Sequence, residues 1–295
     1  MVQASETDIR VENGVINGGL RHTRNPDGAT SSIHNDEIAQ RVGFRGGTVA
    51  GSYHIDLFPP LLVQAFGPAW FERGSLSLNY LNPTTDGEPV RAFIRQPDKL
   101  QDAQVEAWIE REDGMKVAEG SAGAGNPEGP SFLRSRDLNR YAEGEYRILD
   151  GVNVGDDTGS GNITLDRGYH ERRMEVITDR LEEYEQSMWG GAVVSPAALV
   201  HMLYDRPASG IYSSIRKAVG LFGAIEIRHV NGPALVGQDY DVAGKIVGRG
   251  QSPKSEYFWF ESWLQGNDGA RVAEMLMQLR FMKVGSPLYP DLSAG

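Results

Sequence analysis

The sequence predicts an α+β protein built from two copies of one domain, each a long antiparallel sheet wrapped around a central apolar helix. Three observations lead to this fold class. Residues 106–119 recur as residues 261–274, and both segments carry an Asp-Gly pair between apolar runs that contain Trp. Such a pair is a strong hairpin signal, because Gly readily adopts a positive φ. In each copy, one apolar helical run also precedes several runs in which apolar and polar residues alternate, as strands require.

Shorter matches extend the repeat. Residues 76–83 are echoed by residues 225–232, and residues 46–49 by residues 190–193. The order is kept and the spacing between partners grows along the chain, as loop insertions would produce. We therefore predict that the two copies pack side by side with continuous sheets.

The repeat also sets the domain boundaries. We predict an N-terminal domain over residues 1–125, a connecting segment over residues 126–165 and a C-terminal domain over residues 166–295. The connecting segment is rich in Gly, Pro, Asp and Asn, which favours irregular structure with a short helix near residues 135–142. We favour simple linkage as its use, and covering a substrate channel is the alternative.

Each copy should begin with a strand, at about residues 8–16 and 172–177. The first apolar helix, within residues 52–66, should be kinked or split at Pro59 and Pro60, because an interior Pro costs about 3 kcal/mol.

The second apolar helix has clearer boundaries. Ser195 can cap it, Pro196 suits its first position, and Pro207 is expected to lie beyond its end. The aromatic residues 257–260 alternate along a strand and are expected in the core.

Composition limits the classes of partner. The chain has 295 residues, 40% of them hydrophobic, which is enough for two domains with cores of their own. A net charge of −11 argues against nucleic acid or an anionic membrane as the main partner. Because the chain has no Cys, disulfides, a thiolate nucleophile and Cys-ligated zinc are excluded. The N-terminal residues lack a signal-peptide pattern and the histidines are scattered, so we expect a cytoplasmic protein without cofactor or metal.

The segment 33–51 carries the pattern most typical of a functional site. A lone His and acidic residues precede a short apolar-periodic run, a Gly-rich turn and a further Gly in front of an apolar segment. This pattern resembles the hydratase signature of the MaoC-like (R)-specific enoyl-CoA hydratase and acyl dehydratase family, which has the hotdog fold. The matching residues are His34, Asp36, Ala39, Gly43, Phe44 and Gly51.

The resemblance implies a double hotdog and a hydro-lyase that acts on a small-molecule enoyl or β-hydroxyacyl substrate, a thioester in this family. It leaves a homodimer of the whole chain open. His34 with an acid would move the proton and activate water. The family pattern breaks where Ala29 stands in place of the catalytic Asp, with Ser31 and Ser32 at the Asn and Pro.

Asp27 and Asp36 are the acids that could replace the absent Asp. Gly28 would allow the backbone to swing Asp27 inward, and we predict Asp27 within direct or one-water hydrogen-bonding reach of His34. Asp36 could instead cap a short helix. His34 could be structural; as a catalyst it needs a carboxylate or carbonyl that fixes its tautomer.

Further catalytic candidates open the first apolar helix. Tyr53, His54 and Asp56 follow Gly51 on its first turn, where polar residues are costly unless they have partners. His54 and Asp56 do not share a helix face, so they are not a ready-made dyad. The corresponding residues of the second copy are Ala197, Ala198 and Leu199, which predicts one working site in the N-terminal half and a scaffold-like C-terminal half. Tyr53 and His54 could equally be satisfied polar groups at a helix end.

The candidate substrate-binding residues are Arg45, Gly46, Gly47 and Gly51. Glycines let backbone N–H groups approach a ligand closely, which suits an anionic or carbonyl-bearing substrate.

Two function classes remain. The first is the hydratase or dehydratase that the resemblance implies. The second is a hotdog protein with other chemistry: a thioesterase, an enzyme acting on a small substrate without CoA, or a non-catalytic acyl-binding subunit. Ala29 at the place of the family Asp favours the second class.

Overall fold

The computed structural model of the chain describes residues 8–25 and 32–292. Its strands form one twelve-stranded antiparallel sheet, and the main apolar helices pack against one face of that sheet. Among the described helices, none is long and apolar enough to cross a lipid bilayer.

The helices and strands of the first copy are β1 (Arg10–Glu12), β2 (Val15–Asn17), β3 (Arg21–His22), α1 (Asp36–Arg41), α2 (Gly51–Ile55), α3 (Pro59–Phe66), α4 (Trp70–Arg73), β4 (Gly74–Tyr80), β5 (Pro89–Arg95), β6 (Ala103–Arg111) and β7 (Lys116–Ala124). Those of the second copy are β8 (Gly161–Thr164), α5 (Arg167–Val176), α6 (Pro196–Tyr212), β9 (Val219–His229), β10 (Asp239–Gln251), β11 (Ser255–Gln265) and β12 (Arg271–Met282). Short 3₁₀ helices lie at Ser32–His34 and Glu182–Tyr184.

The order of strands repeats between the copies. The sheet runs β1-β2-β5-β6-β7-β4-β9-β12-β11-β10-β8, with β3 beside β5. The strand order β5-β6-β7-β4 in the first copy therefore corresponds to β10-β11-β12-β9 in the second, and the two halves of the sheet mirror each other. The copies meet at β4 and β9, where Leu76 pairs with Ile227 and Leu78 with Ile225. This pairing confirms the predicted continuous sheet. All four side chains are buried in the main core, so the seam is apolar on the face that carries the helices.

Both Asp-Gly pairs form the predicted hairpin turns, between β6 and β7 and between β11 and β12. Gly114 and Gly269 have φ of +81° and +77°, values that favour glycine. The carboxylates of Asp113 and Asp268 each accept a hydrogen bond from the backbone N–H two residues further on, at 3.1 and 3.0 Å. The turn residues thus supply their own local hydrogen bonds.

The first apolar helix is split, as predicted. α2 ends at Ile55, and α3 begins with Pro59 and Pro60 at its first positions, where a missing N–H costs nothing. The break brings Phe58 and Leu62 into the core, where both are buried.

The strands predicted to open each copy differ from those found. Residues 8–16 lie in a small hairpin of β1 and β2 with its turn at Asn13 and Gly14, both at positive φ. Residues 172–177 fall within the end of α5 and just beyond it, a charged run without strand alternation. Asp166 caps this helix by accepting the Tyr169 N–H at 2.8 Å.

Pro207 lies inside α6, which continues to Tyr212, so the predicted helix end is wrong. The continuation buries Ala208 and Ile211. Burial of these side chains outweighs the loss of one helical hydrogen bond at Pro207.

The connecting segment crosses the face of the sheet opposite the main helices, which we call the outer face. The Leu133 N–H donates to Ser77 Oγ at 3.0 Å, and its side chain packs against Trp259. Arg134 forms a 2.8 Å ion pair with Glu226 on β9. The predicted short helix is not formed and turns stand in its place, because each of these contacts fixes the backbone from outside.

A buried ion pair joins the two copies. Asp56, directly after α2, accepts hydrogen bonds from Arg173 Nε at 3.0 Å and Nη2 at 2.7 Å. Its other oxygen accepts the Ala197 N–H at 2.8 Å, in the first turn of α6. The Arg173 and Asp56 side chains are only 4% and 3% exposed. Burial raises the pKa of Asp56, while Arg173 and the Ala197 N–H oppose this shift.

Replacing Asp56 with Ala should lower the free energy of unfolding by about 3–5 kcal/mol, because it leaves the Arg173 guanidinium buried without its counter-charge. Urea unfolding at pH 7 would measure this loss. The matched control is Glu37→Ala, which removes an ion pair to Arg41 between side chains that are 84% and 73% exposed; it should cost less than about 1 kcal/mol. Similar losses in the two variants would contradict the role of the buried pair.

Candidate functional site

One cavity of about 1020 Å³ is shared by the two copies. Its first wall comes from the segment before α2, from α2 itself and from the end of β4. Its second wall comes from the C-terminal part of α6, the start of β9, the turn between β10 and β11 and the end of β12. The cavity therefore exists only when both copies are in place.

His34 lines this cavity at the end of the first 3₁₀ helix. Its Nδ1 lies 2.7 Å from the Thr48 carbonyl oxygen, so Nδ1 carries a proton, and in the neutral ring Nε2 is the nitrogen with the free lone pair. Asn25 Nδ2 donates to the same carbonyl at 3.0 Å, and Asn25 Oδ1 accepts the Ala50 N–H at 3.1 Å. Asn25 thus holds the Thr48–Ala50 backbone, whose Thr48 carbonyl orients the His34 ring. The sequence pattern did not indicate this role of Asn25.

Asp36 holds the Gly-rich turn. Asn35, not Asp36, caps α1, and Asp36 Oδ1 accepts the Gly47 N–H at 2.6 Å. A Cβ on Gly47 would lie 2.4 Å from the His34 carbonyl oxygen, so glycine is required for this close approach. The structure therefore gives Asp36 a positioning use: it holds the turn against the backbone of His34.

Arg45, Gly46 and Gly47, three of the four predicted substrate-binding residues, belong to the same turn and do not line the cavity. Arg45 Nη2 contacts both carboxylate oxygens of Glu88, at 3.0 and 2.9 Å. The guanidinium is thereby neutralised on the surface, away from the cavity wall.

Gly51 does line the cavity, at the start of α2. Tyr80 Oη donates to the Gly51 carbonyl at 2.5 Å, and a Cβ on Gly51 would lie 2.8 Å from the Tyr80 ring. Glycine is needed here because the ring packs directly on the helix start.

His54 lines the cavity but is only 2% exposed. Its Nε2 lies 2.9 Å from Thr84 Oγ1. Burial lowers the pKa of His54 to about 4, so the ring is neutral at physiological pH. His54 is available for hydrogen bonding more than for holding a proton.

The Tyr53 side chain lies against Arg173 and not in the cavity. The Arg173 guanidinium carbon lies 4.1 Å from the centre of its ring, a cation–π contact. Tyr53 does not line the cavity, and with Asp56 it belongs to the contact between the copies. The sequence placed it at the site because its position on the helix turn was known but the direction of its side chain was not.

The second wall of the cavity carries positive charge. Arg216, Lys217, Lys254 and Arg280 line the cavity, and among the described residues no Asp or Glu does. Arg216 is paired with Asp150 at 2.6 Å. Sequence reasoning missed all four, because it treated the C-terminal copy as a scaffold. In a chain of net charge −11, this surplus of cations is local.

Asp27, predicted close to His34, and Ala29 both lie outside the described residues. Their relation to the His34 ring stays a prediction.

The second copy has an equivalent backbone frame. The Thr48 N–H donates to the Ile33 carbonyl at 2.8 Å, and the Val193 N–H donates to the Glu183 carbonyl at 2.7 Å. This frame pairs Thr48 with Val193, one residue further on than the sequence match of residues 46–49 with 190–193. The residue after Glu183 is Tyr184, which therefore stands where the first copy has its histidine.

Aromatic side chains fill that second position. Tyr184 is 1% exposed and lies edge-on to Phe71 at 6.3 Å. His229 lies edge-on to Trp70 at 5.0 Å, and its two ring nitrogens have no hydrogen-bond partner among the described residues. Burial lowers the pKa of His229 to about 4.

Neither a protein-family model nor a curated protein matches the sequence. Solved structures do match. A protein described as a MaoC domain dehydratase from Chloroflexus aurantiacus has a TM-score of 0.57 at 12% identity, over 90% of this chain and 95% of that chain. A MaoC-like dehydratase has a TM-score of 0.52 at 14% identity, over 85% and 90%.

A double hotdog protein from Mycobacterium tuberculosis has a TM-score of 0.51 at 10% identity, over 89% of this chain and 87% of that chain. At these identities the likeness establishes the fold. The chain is a double hotdog, structurally similar to MaoC-like dehydratases, as the sequence resemblance implied.

His229 provides a test of the filled position. Its folded pKa of about 4 lies below its unfolded value, so the neutral ring favours the folded state above pH 6.5 and this advantage is lost as the pH falls towards 4. His229→Phe keeps an aromatic ring and removes the proton site. Between pH 7 and pH 5 the wild type should lose about 2 kcal/mol more unfolding free energy than this variant.

Urea unfolding at the two pH values measures the difference. The control is His22→Phe at an exposed histidine, which should follow the wild type at both pH values. A His229→Phe variant with the pH dependence of the wild type would contradict the burial of an unpaired ring.

Proposed function

We propose that the chain is a hydratase or dehydratase acting on an enoyl or β-hydroxyacyl thioester, with His34 as its base. The observation that carries the proposal is the 2.7 Å hydrogen bond between His34 Nδ1 and the Thr48 carbonyl. It leaves Nε2 as the free proton acceptor of a residue that lines the cavity. The structural similarity to MaoC-like dehydratases is consistent with this assignment.

His34 can serve both proton transfers of hydration. Nε2 takes a proton from water while the water oxygen bonds to the β-carbon, and the double-bond electrons move towards the thioester carbonyl. The imidazolium then returns a proton to the α-carbon. Water is added as H and OH, and dehydration follows the same steps in reverse.

The thioester oxygen needs a donor while negative charge develops on it. Near the start of α2, the Val49 N–H donates to the Thr84 carbonyl at 2.9 Å and the Ala50 N–H to Asn25 Oδ1 at 3.1 Å. The Gly51 N–H has no partner among the described residues, and Gly51 lines the cavity. We assign this N–H to the carbonyl oxygen.

The charge of the second wall supports a negatively charged substrate. Lys217 and Lys254 are exposed and, among the described residues, have no acidic partner. Cations without counter-ions around an opening raise the local concentration of anions. Carriers of acyl thioesters bear phosphate groups, which agrees with this charge.

A hotdog thioesterase is the second candidate. It would use the same base, but would direct water at the carbonyl carbon and release a thiol. The observation that favours it is the cavity lining, in which no described residue is Asp or Glu. A His without an acid suffices to activate water for attack on a thioester.

Replacing His34 with Ala should lower kcat/KM by about a hundredfold to ten-thousandfold, the scale of a lost general base. The melting temperature should change little, because a partly exposed loop histidine contributes little packing. Hydration of a crotonyl thioester, followed by the loss of enoyl absorbance, and release of its thiol would be measured on the same samples.

The matched control is His22→Ala. His22 Nδ1 also bonds a backbone carbonyl, that of Gly87 at 2.8 Å, but His22 does not line the cavity. Full activity of His34→Ala would exclude His34 as the base and make His54 the leading candidate. If only thiol release responds to His34→Ala, the thioesterase assignment replaces the hydratase.

Asp27 tests whether hydration uses a second acid. If Asp27 replaces the family Asp, Asp27→Asn should reduce hydration about a hundredfold or more. Asp36→Asn is the control, since its amide oxygen can still accept the Gly47 N–H, and it should keep most of the activity. Unchanged hydration in Asp27→Asn, with an inactive His34→Ala, would show that His34 acts without that acid.

A further inference from the structure

Two arginines meet on the outer face of the sheet beside the cavity. Arg280 lies on β12 and lines the cavity together with Gly223 of β9. Arg136 comes from the connecting segment, and its Nη1 donates to Asn79 Oδ1 at 3.1 Å. One cation is thus built into the sheet and the other is brought to it by the segment that joins the copies.

Strand register brings the two guanidinium groups to the same row. Asn79 on β4 pairs with Ala224 on β9, and Ala224 pairs with Gln278 on β12. Gln278 Oε1 accepts the Arg280 Nε–H at 2.6 Å. Strands two apart are about 10 Å apart, so side chains from both ends of this row can converge on one group above β9.

Gly223 leaves room for this arrangement. Ala224 pairs with Gln278 and Phe222 pairs with Leu279, so Gly223 is the extra residue of a bulge. A Cβ on Gly223 would lie 2.4 Å from Gln278 Oε1 and 2.5 Å from Arg280 Nε. Only glycine lets these two side chains lie flat across β9.

Neither guanidinium has a carboxylate partner among the described residues. Each is held through a neutral amide oxygen, which uses one N–H and leaves the others free. Burial lowers the pKa of Arg280, and Arg136 nearby adds to this shift. Burial also lowers the pKa of Arg136, and Glu119, which pairs with Asn79 in the sheet, opposes this shift. Two like charges are thus held close together without a carboxylate in hydrogen-bonding contact.

We propose that Arg136 and Arg280 form an oxyanion subsite for a charged group of the substrate that lies away from the reacting carbon. The subsite takes a phosphate or carboxylate group, and this inference rests on the proposed function for what happens elsewhere on the same molecule. Guanidinium groups fit such oxygens with paired N–H donors, which a Lys cannot do.

The subsite gives the connecting segment a use beyond linkage. Leu133 and Arg134 fix the segment on the outer face through Ser77 and Glu226. Arg136, two residues further on, is thereby held on the outer face, where its Nη1 donates to Asn79 Oδ1. The guanidinium carbon of Arg136 lies 4.8 Å from the centre of the Phe132 ring. This cation–π contact further restrains the arginine side chain.

Titration calorimetry with inorganic pyrophosphate tests the subsite without any turnover. The wild type should bind the probe, and Arg136→Met and Arg280→Met should each weaken binding about tenfold or more, the scale of a lost charge-assisted contact. Gly223→Ala should also weaken it, because the added Cβ displaces only the ends of flexible side chains and the fold is kept. The matched control is Arg140→Met, which removes an arginine of the same segment that also lies on an aromatic ring.

No measurable binding of pyrophosphate or succinate by the folded wild type would overturn the inference. So would equal losses in Arg140→Met and Arg136→Met, since that result reports net charge alone. Unchanged affinity in both Arg136→Met and Arg280→Met would overturn it as well.

Further titrations identify the source of the oxyanion. If a phosphate of the carrier occupies the subsite, the variants should weaken coenzyme A binding and leave that of pantetheine, which has no phosphate, unchanged. If a carboxylate of the substrate occupies it, succinate binding should respond instead. His34→Ala should retain the affinity of the wild type in every titration. If the wild type binds the probe but neither hydrates the thioester nor releases its thiol, the subsite stands and only the proposed function fails.

Discussion

The carboxylate of Asp56 is the interaction on which the geometry of the site depends. One of its oxygens receives Arg173 of α5 and the other receives the Ala197 N–H of α6, while Asp56 itself follows α2. It therefore fixes the helix that carries Gly51 and His54 against the second copy. Burial raises the pKa of Asp56. This direction indicates that the favourable contacts of the carboxylate do not fully offset the cost of removing it from water. Its contribution is then the specific docking of one copy on the other, and the shared cavity follows from that docking.

The two copies have equivalent backbone hydrogen bonds around His34 and around Tyr184, and these two frames differ in the side chains that they hold. The first frame holds His34 beside an open cavity, whereas the second holds Tyr184 among aromatic rings. Filling the second frame stabilises the seam, because Tyr184 and His229 bury apolar ring surface there. The second copy was then free to contribute α6, β9 and β12 as the opposite wall of the one cavity. A single chain thus combines a wall that carries His34 from one copy with a wall that carries four cations from the other.

Local signals predicted most of the fold, and long-range contacts were beyond them. The Asp113 and Asp268 turns and the break at Pro59 depend on a few neighbouring residues, so the sequence was sufficient. The pairing of Asp56 with Arg173 joins residues 117 positions apart, and nothing local marks either as a partner. The same difference between local and long-range signals decided which site residues could be predicted. The motif pointed to His34 and Gly51, which line the cavity, but Arg280 is an ordinary strand arginine until register places it beside β9.

Which reaction occurs depends on where the substrate is anchored. In the proposed function, Nε2 of His34 can activate water for attack on a β-carbon or on a carbonyl carbon, because both need only a proton acceptor. The carbon that reacts is the one held about 3–3.5 Å from that water. Gly51 can hold the carbonyl oxygen, and the guanidinium groups can hold a charged group away from the reacting carbon. In the proposed function, the length of substrate between these two anchors therefore decides whether the double bond or the thioester faces His34.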